Sequence, residues 1–532
     1  MTVNRRFFLS TFILVVSQFL SRVLGLLRTT LINAIFGATQ SGGVTDAFSA
    51  AFKIPDIIFN IIAFGMISVV LVPYFSKFLS KKESDKLDIA CSNFINIFLI
   101  MIGFFIIIGF IFAPFIVKNL LVKGWTDEAN IALTVRMTRI LLLQVFFMTL
   151  SGILASYLNA VERVLGYIFY AMAPLFYNAG IIFGILFIAP HIGIEGAAWG
   201  VVIGGLLHLL INLTGAVIHG YKYRFVIPKF DNDIKELLVI GAPRIIAIGA
   251  EQFVKFFIVM IASYLIEGSM IIFDNAENFS MIAFGMIAVS ISTTSFPIFS
   301  KLYIEKKYNE LVKNLFNIIR SCLFFIIPIT ALMIVLRFEI VDLFLNYKKI
   351  TALDVAYTAN SLGFYMIGIP FFSISIIIAK YYYAHKESFI PMVISLIAVA
   401  FTVVSCYLFA KKYSLYGLSI GRSIGYITQT ILLTIFLIFI YSKNKLKIKF
   451  NWQPVFDIFK IIIISLILSA AGFYLNTSLT FSANIKLDSI LRLFILGGSL
   501  ALFYLIASYL LKIPEIRSII LRLSQIFLRN NK

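Results

Sequence analysis

Apolar residues run along this chain in stretches of about 20 or more, each closed by a short polar or Gly/Pro-containing connection. The pattern predicts about fourteen membrane-spanning helices. They fall near 8–35, 46–76, 89–117, 129–159, 165–189, 194–219, 236–266, 270–300, 312–338, 353–384, 389–410, 415–441, 454–475 and 488–511. Composition agrees with that reading. Hydrophobic residues make up 61% of the 532, only 13% are charged, and the mean hydropathy is +0.98. Soluble domains are far less apolar, so the expectation is an all-α, polytopic membrane protein.

The formal charge of +20 changes the picture through its placement. Lys and Arg cluster in the short connections, among them "SKFLSKKESDK", "YKYRFVIPKFDNDIK" and "YSKNKLKIKF". With both termini in the cytoplasm, the inner segments hold about 25 basic residues and the outer ones about 8. Lys348, Lys349, Lys411 and Lys412 are the exceptions. Anionic headgroups account for such charge, and no nucleic-acid partner is expected. The basic start "MTVNRRFFLS" is read as the flank of a retained first span. Cys91, Cys322 and Cys406 lie in apolar runs and suggest no disulfide framework. His191, His208, His219 and His385 are scattered, and no P-loop, HExxH or aspartate cluster is present. An enzyme and a metal site are therefore disfavoured.

An internal repeat organises the chain. "IIAFGMISV" at 61–69 recurs as "MIAFGMIAV" at 281–289, and each copy is followed by a proline and FSK. Both copies precede a basic connection, so they share one orientation. Two six-helix lobes follow, at 1–228 and 229–450, with a C-terminal helix pair and basic tail at 451–532. Parallel repeats of this kind place a substrate between lobes that rock in alternating access.

Charged residues inside the spans should face water or one another. Arg22 and Arg28 lie in the first span, and Asp46, Lys53 and Asp56 in the second. Span 4 has Arg136 and Arg139, span 7 has Arg244, Glu251 and Lys255, and span 8 has Asp274 and Glu277; Lys380 and Arg422 follow in spans 10 and 12. Snorkelling to the boundary is an alternative for Arg28, Arg136, Arg139 and Lys380. Arg22 is harder to explain that way, about 14 residues or roughly 21 Å into its span. A structural pair with Asp46 or Asp56 remains open for it. The excess of basic groups in the first two spans points to an anionic, phosphate-bearing cargo, since the arginine fork matches phosphate oxygens.

"SRVLGLLR" (21–28), "IFGATQSGGVTDAFSAAFKIPD" (35–56) and "VPYFSKF" (72–78) resemble the N-terminal signature of the MurJ/MviN lipid II flippases. These belong to the multidrug/oligosaccharidyl-lipid/polysaccharide exporter superfamily. "APRIIAIG" (242–249) and "FDNAENF" extend the similarity. The resemblance implies a flippase in the bacterial inner membrane, moving the undecaprenyl-diphosphate-linked peptidoglycan precursor outward. It implies lipid II as the partner, beside membrane lipids. No nucleotide site is visible in the sequence, so coupling to the membrane potential or an ion gradient is expected, with no cofactor and a monomeric carrier. By position, Arg22 and Arg28 match cavity arginines, Asp46 the TDAF aspartate, and Lys53 and Pro55 the AFKxP turn. Arg22, Arg28 and Lys53 are expected to hold the diphosphate, Asp46 to orient them or gate the outer side, and Arg244 to contribute from the second lobe. Gly25, Gly65 and Gly285 are candidate hinge or packing positions. The chain departs from the pattern at Phe59, Asn60 and Phe64, and has Asn278 where many members carry a cavity arginine. Thr402 and Cys406 replace the Asn and Asp of a cation site seen in some members, so no such site is expected. Another polyprenyl-linked saccharide and a drug cation are the alternative cargoes; a recruiting scaffold would need longer loops.

Overall fold

The structure is a computed structural model that describes residues 3–64, 71–80, 83–161, 164–443, 452–518 and 520–521. Among these residues it contains helices and connections and no strand. A chain this apolar must satisfy its backbone within each segment, which the helix does. Among the described residues, thirteen helices are long and apolar enough to cross a membrane.

The chain divides into two compact units. The first comprises residues 1–271 together with Tyr347–Ile350. It contains α1 (Val3–Phe36), α2 (Val44–Ala51), α3 (Lys53–Ile58), α4 (Val72–Ser80), α5 (Ser84–Ile116), α6 (Glu128–Ala160), α7 (Val164–Phe183), α8 (Ala189–Ile192), α9 (Glu195–Ile218) and α10 (Asn232–Ala262). Next comes α11 (Ser269–Ile304), whose first turn belongs to the first unit and the rest to the second. The second unit continues with α12 (Tyr308–Val335), α13 (Arg337–Leu345), α14 (Ala352–Ala384), α15 (Phe389–Tyr413), α16 (Tyr416–Lys443), α17 (Gln453–Ser478), α18 (Ile485–Leu491) and α19 (Gly497–Leu510).

The predicted second span is a broken run rather than one rod. Pro55 has no N–H to give the carbonyl of Ala51, four residues back, and α2 ends at Ala51. After α3 the backbone widens into a π-helical turn over Phe59–Phe64. Gly65, a candidate hinge, lies outside the described residues. Gly285 lies within α11, which continues through it as helix.

A glycine seam joins one pair of neighbouring spans within each unit, α7 with α9 and α15 with α16. In the first, Gly180 and Gly184 of α7 and the following turn lie against Gly200 and Gly204 of α9. A Cβ on any of these would strike backbone atoms of the facing helix. In the second, Gly417, Gly421 and Gly425 of α16 lie against Phe409, Cys406 and Thr402 of α15. The glycine triads Gly196/200/204 and Gly417/421/425 recur at nearly the spacing that separates the two IAFGMI copies. The repeat read from one pair of spans thus holds at a second.

The C-terminal helices are fastened to α12 by buried charge. Arg320 donates to Glu515 Oε1 at 2.8 Å and to Asp457 Oδ2 at 3.2 Å, and Ser321 also donates to Glu515. Tyr504 of α19 donates to the carbonyl of Phe324 at 2.7 Å.

His385 closes α14. Its Nδ1 lies 2.8 Å from the Tyr381 carbonyl, and the rings of Tyr303 and Tyr381 each stand 4.4 Å from it. Burial lowers its pKa from 6.5 to about 4, against the opposing pull of Glu387. The ring is therefore neutral when folded, with Nδ1–H donating to Tyr381. Its contribution to stability is complete above pH 6.5 and is lost as pH falls toward 4. The thermal unfolding midpoint of the purified protein should fall on acidification from neutral to about pH 5, and fall less in His385→Asn. An equal fall in that variant would remove His385 as a cause.

Candidate functional site

The first unit carries most of the predicted site. Three positions of α1 share one face at helical spacing, namely Ser21, Gly25 and Arg28. Asn178 of α7 donates to the carbonyl and hydroxyl of Ser21, both at 3.2 Å, and to the Pro174 carbonyl at 3.1 Å. A Cβ at Gly25 would lie 3.8 Å from the Asn178 side-chain oxygen. Gly25 is thus a packing position, letting α1 lie along α7.

Arg28 lies on the same face of α1. It is half-buried within the span and interacts electrostatically with Tyr177, one residue before Asn178. The Tyr177 hydroxyl accepts from Gln144 Nε2 at 3.0 Å, and Asp56 also acts on it. Among the described residues Arg28 forms no ion pair with a carboxylate. A guanidinium within a span, beside a phenol and with no carboxylate paired to it among the described residues, is poised to accept an anion. Arg22, half-buried, occupies a different face of α1. Lys53 is buried at the start of α3, with Pro55 two residues on. The side chain of Arg244 lies outside the described residues. Asn278 is exposed on α11.

Tyr177, Gln144 and Asn178 carry no formal charge and so do not stand out among the apolar residues of their spans. "LFYNAG" and the lone glutamine of "LLLQVFF" were the available signal. His208, expected to be packed or hydrogen-bonded, has Nδ1 2.7 Å from Ser151 Oγ, which also accepts from Asn212 at 2.9 Å. Arg136 is paired with Glu195 at 2.6 Å, and Arg139 lies 4.6 Å over the ring of Phe110. Neither belongs to the Arg28 cluster.

A second polar constellation joins the first turn of α2 and the loop before it to the start of α11. Asp46 is buried, and its carboxylate accepts from the backbone amides of Gly268 (2.9 Å), Met270 (3.1 Å) and Ile271 (3.0 Å). In return, Glu267 accepts from Gly43 N at 2.7 Å and from Ser41 Oγ at 3.2 Å. Gly43 has φ 79°, a conformation open to glycine. Each helix start therefore receives a carboxylate from the other segment, satisfying donors that have no partner within the helix.

Span-length helices around fixed charge, built on a repeated half, define a polytopic transporter. An inward-facing multidrug resistance MATE family transporter of the MOP superfamily shares the fold. The TM-score is 0.65 at 15% identity, over 80% of this chain and 96% of that one. A structure titled lipid II flippase MurJ, inward closed conformation, matches at TM-score 0.75 and 25% identity, covering 94% and 98%. The lipid II flippase MurJ family profile matches residues 32–492, and the chain belongs to that family. A probable lipid II flippase MurJ of Buchnera aphidicola subsp. Acyrthosiphon pisum is 30% identical over 387 residues, 71% of this chain and 73% of that protein. The lipid II flippase MurJ of Burkholderia cenocepacia is 26% identical over 434 residues, with 79% and 82% covered.

Proposed function

We propose that this protein moves lipid II, the undecaprenyl-diphosphate-linked peptidoglycan precursor, from the cytoplasmic to the outer leaflet by alternating access. The observation that carries this reading is Arg28, held within the first span beside Tyr177 with no carboxylate paired to it among the described residues. Arg28, Arg22 and Lys53 hold the diphosphate, with Arg244 and Asn278 contributing from the second half. Asp46, with Glu267, holds the outer end of α11, and its release opens that side. The reading takes lobes at 1–228 and 229–450, a helix pair at 451–532, and both termini in the cytoplasm. The carrier acts as a monomer, without cofactor or covalent chemistry, and is driven by the membrane potential or an ion gradient.

Purified protein in vesicles carrying fluorescent lipid II is expected to equilibrate the probe between leaflets, while empty vesicles do not. Movement of another polyprenyl-diphosphate saccharide but not of lipid II would overturn the assigned cargo.

A further inference from the structure

The connector between α9 and α10 is an extended strap with two unlike sides. Toward α5 it is tied by a polar ladder. Asp85, Asp88, Ser92 and Asn96 share one face of that helix. Asp88 accepts from Lys222 N at 3.3 Å and Ser92 Oγ from Arg224 N at 3.0 Å. Asn96 donates to the Val226 carbonyl at 2.8 Å, and Asn93 exchanges two hydrogen bonds with the backbone of Lys229, at 2.8 and 2.9 Å. Arg224 also pairs with Asp85 at 2.5 Å.

The other side is apolar and uncovered. Phe225 is 83% exposed and Ile227 72%, with exposed Phe230 beside them, while Tyr223, also exposed, donates from its hydroxyl to Asn96 Oδ1 at 2.8 Å. This surface continues from the lipid-facing end of α9, where Val217 and Ile218 are also exposed. Between them stand Lys222 and Lys229, which make no ion pair among the described residues. From His219 to Phe230 there is no acidic residue.

We propose that residues 221–230 form a docking surface for an anionic bilayer, lying at headgroup depth where α9 leaves the membrane. Aromatic and aliphatic side chains enter the interface while the lysines meet lipid phosphates. The ladder explains why an extended segment can lie there. It satisfies backbone amides and carbonyls that water would otherwise have to reach, and it leaves the apolar side chains free for lipid. Because the strap is tied to α5, lipid binding anchors the first unit as a body. The proposal does not depend on the cargo.

Phe225→Cys tests it, because the three native cysteines are buried. The variant is placed in nanodiscs of phosphatidylcholine alone, or with about one third phosphatidylglycerol, and labelled with a neutral water-soluble maleimide. Labelling should be about tenfold slower in the anionic discs. Added salt, or Lys222→Gln with Lys229→Gln, should restore the faster rate. Equally fast labelling in both discs overturns the proposal. Equally slow labelling that depends on protein concentration also overturns it, by showing that a second copy covers the strap.

Discussion

Arg28→Ala should lower lipid II translocation by about 100-fold, the loss expected when a charge-assisted contact to phosphate disappears. Its unfolding midpoint should hardly move, because this arginine forms no ion pair among the described residues and its removal strands no carboxylate. Arg28→Lys keeps the charge but not the planar fork, and should recover part of the rate. Tyr177→Phe removes the hydroxyl that Gln144 donates to and should have a smaller effect. The measurement is probe equilibration in vesicles, read beside thermal melting of the same preparations. A fully active Arg28→Ala would exclude the guanidinium from cargo binding. An inactive but unfolded one would make Arg28 a packing residue.

Asp46→Ala should act through stability instead. It leaves three amides, those of Gly268, Met270 and Ile271, without the acceptor the structure gives them. At about 1–3 kcal/mol for each buried donor left unpaired, and with some water entering, a loss of about 3–5 kcal/mol is expected. Asp46→Asn keeps one acceptor oxygen and should lose about half of that. Hydrogen exchange resolves the effect locally: the amides of residues 268–271 should lose protection before the glycine seam of α7 and α9 does. Unchanged protection of those amides in Asp46→Ala would rule out the cap.

Most spans were legible because lipid leaves a chain little choice. Runs of Ile, Phe and Leu long enough to cross must be helical, and thirteen among the described residues are. The second span was harder to see because its break depends on one proline and a π-helical turn that hydropathy does not register. The repeat was visible at IAFGMI, and the glycine triads were visible too, but which helices they join depends on packing.

The site divides in the same way. That Arg22 and Arg28 sit at depth follows from counting residues. Which of them faces α7 depends on Asn178 and Ser21, whose meeting across 157 residues of chain leaves no local pattern. Arg22, the more conspicuous of the two in the sequence, lies on another face. Asp46 stood out as a carboxylate in an apolar stretch, yet its partners are backbone amides, which carry no sequence signature.

The clamp between Asp46 and Glu267 also sets an order of biosynthesis. Asp46 leaves the ribosome 222 residues before the first amide it caps. Until Gly268 to Ile271 have been translated and inserted, the nascent first unit holds an acid in the membrane without those donors. Its maturation therefore waits on the opening turn of α11. A fragment ending at residue 228 lacks the clamp, whereas one ending at residue 271 carries both carboxylates and every amide they accept from.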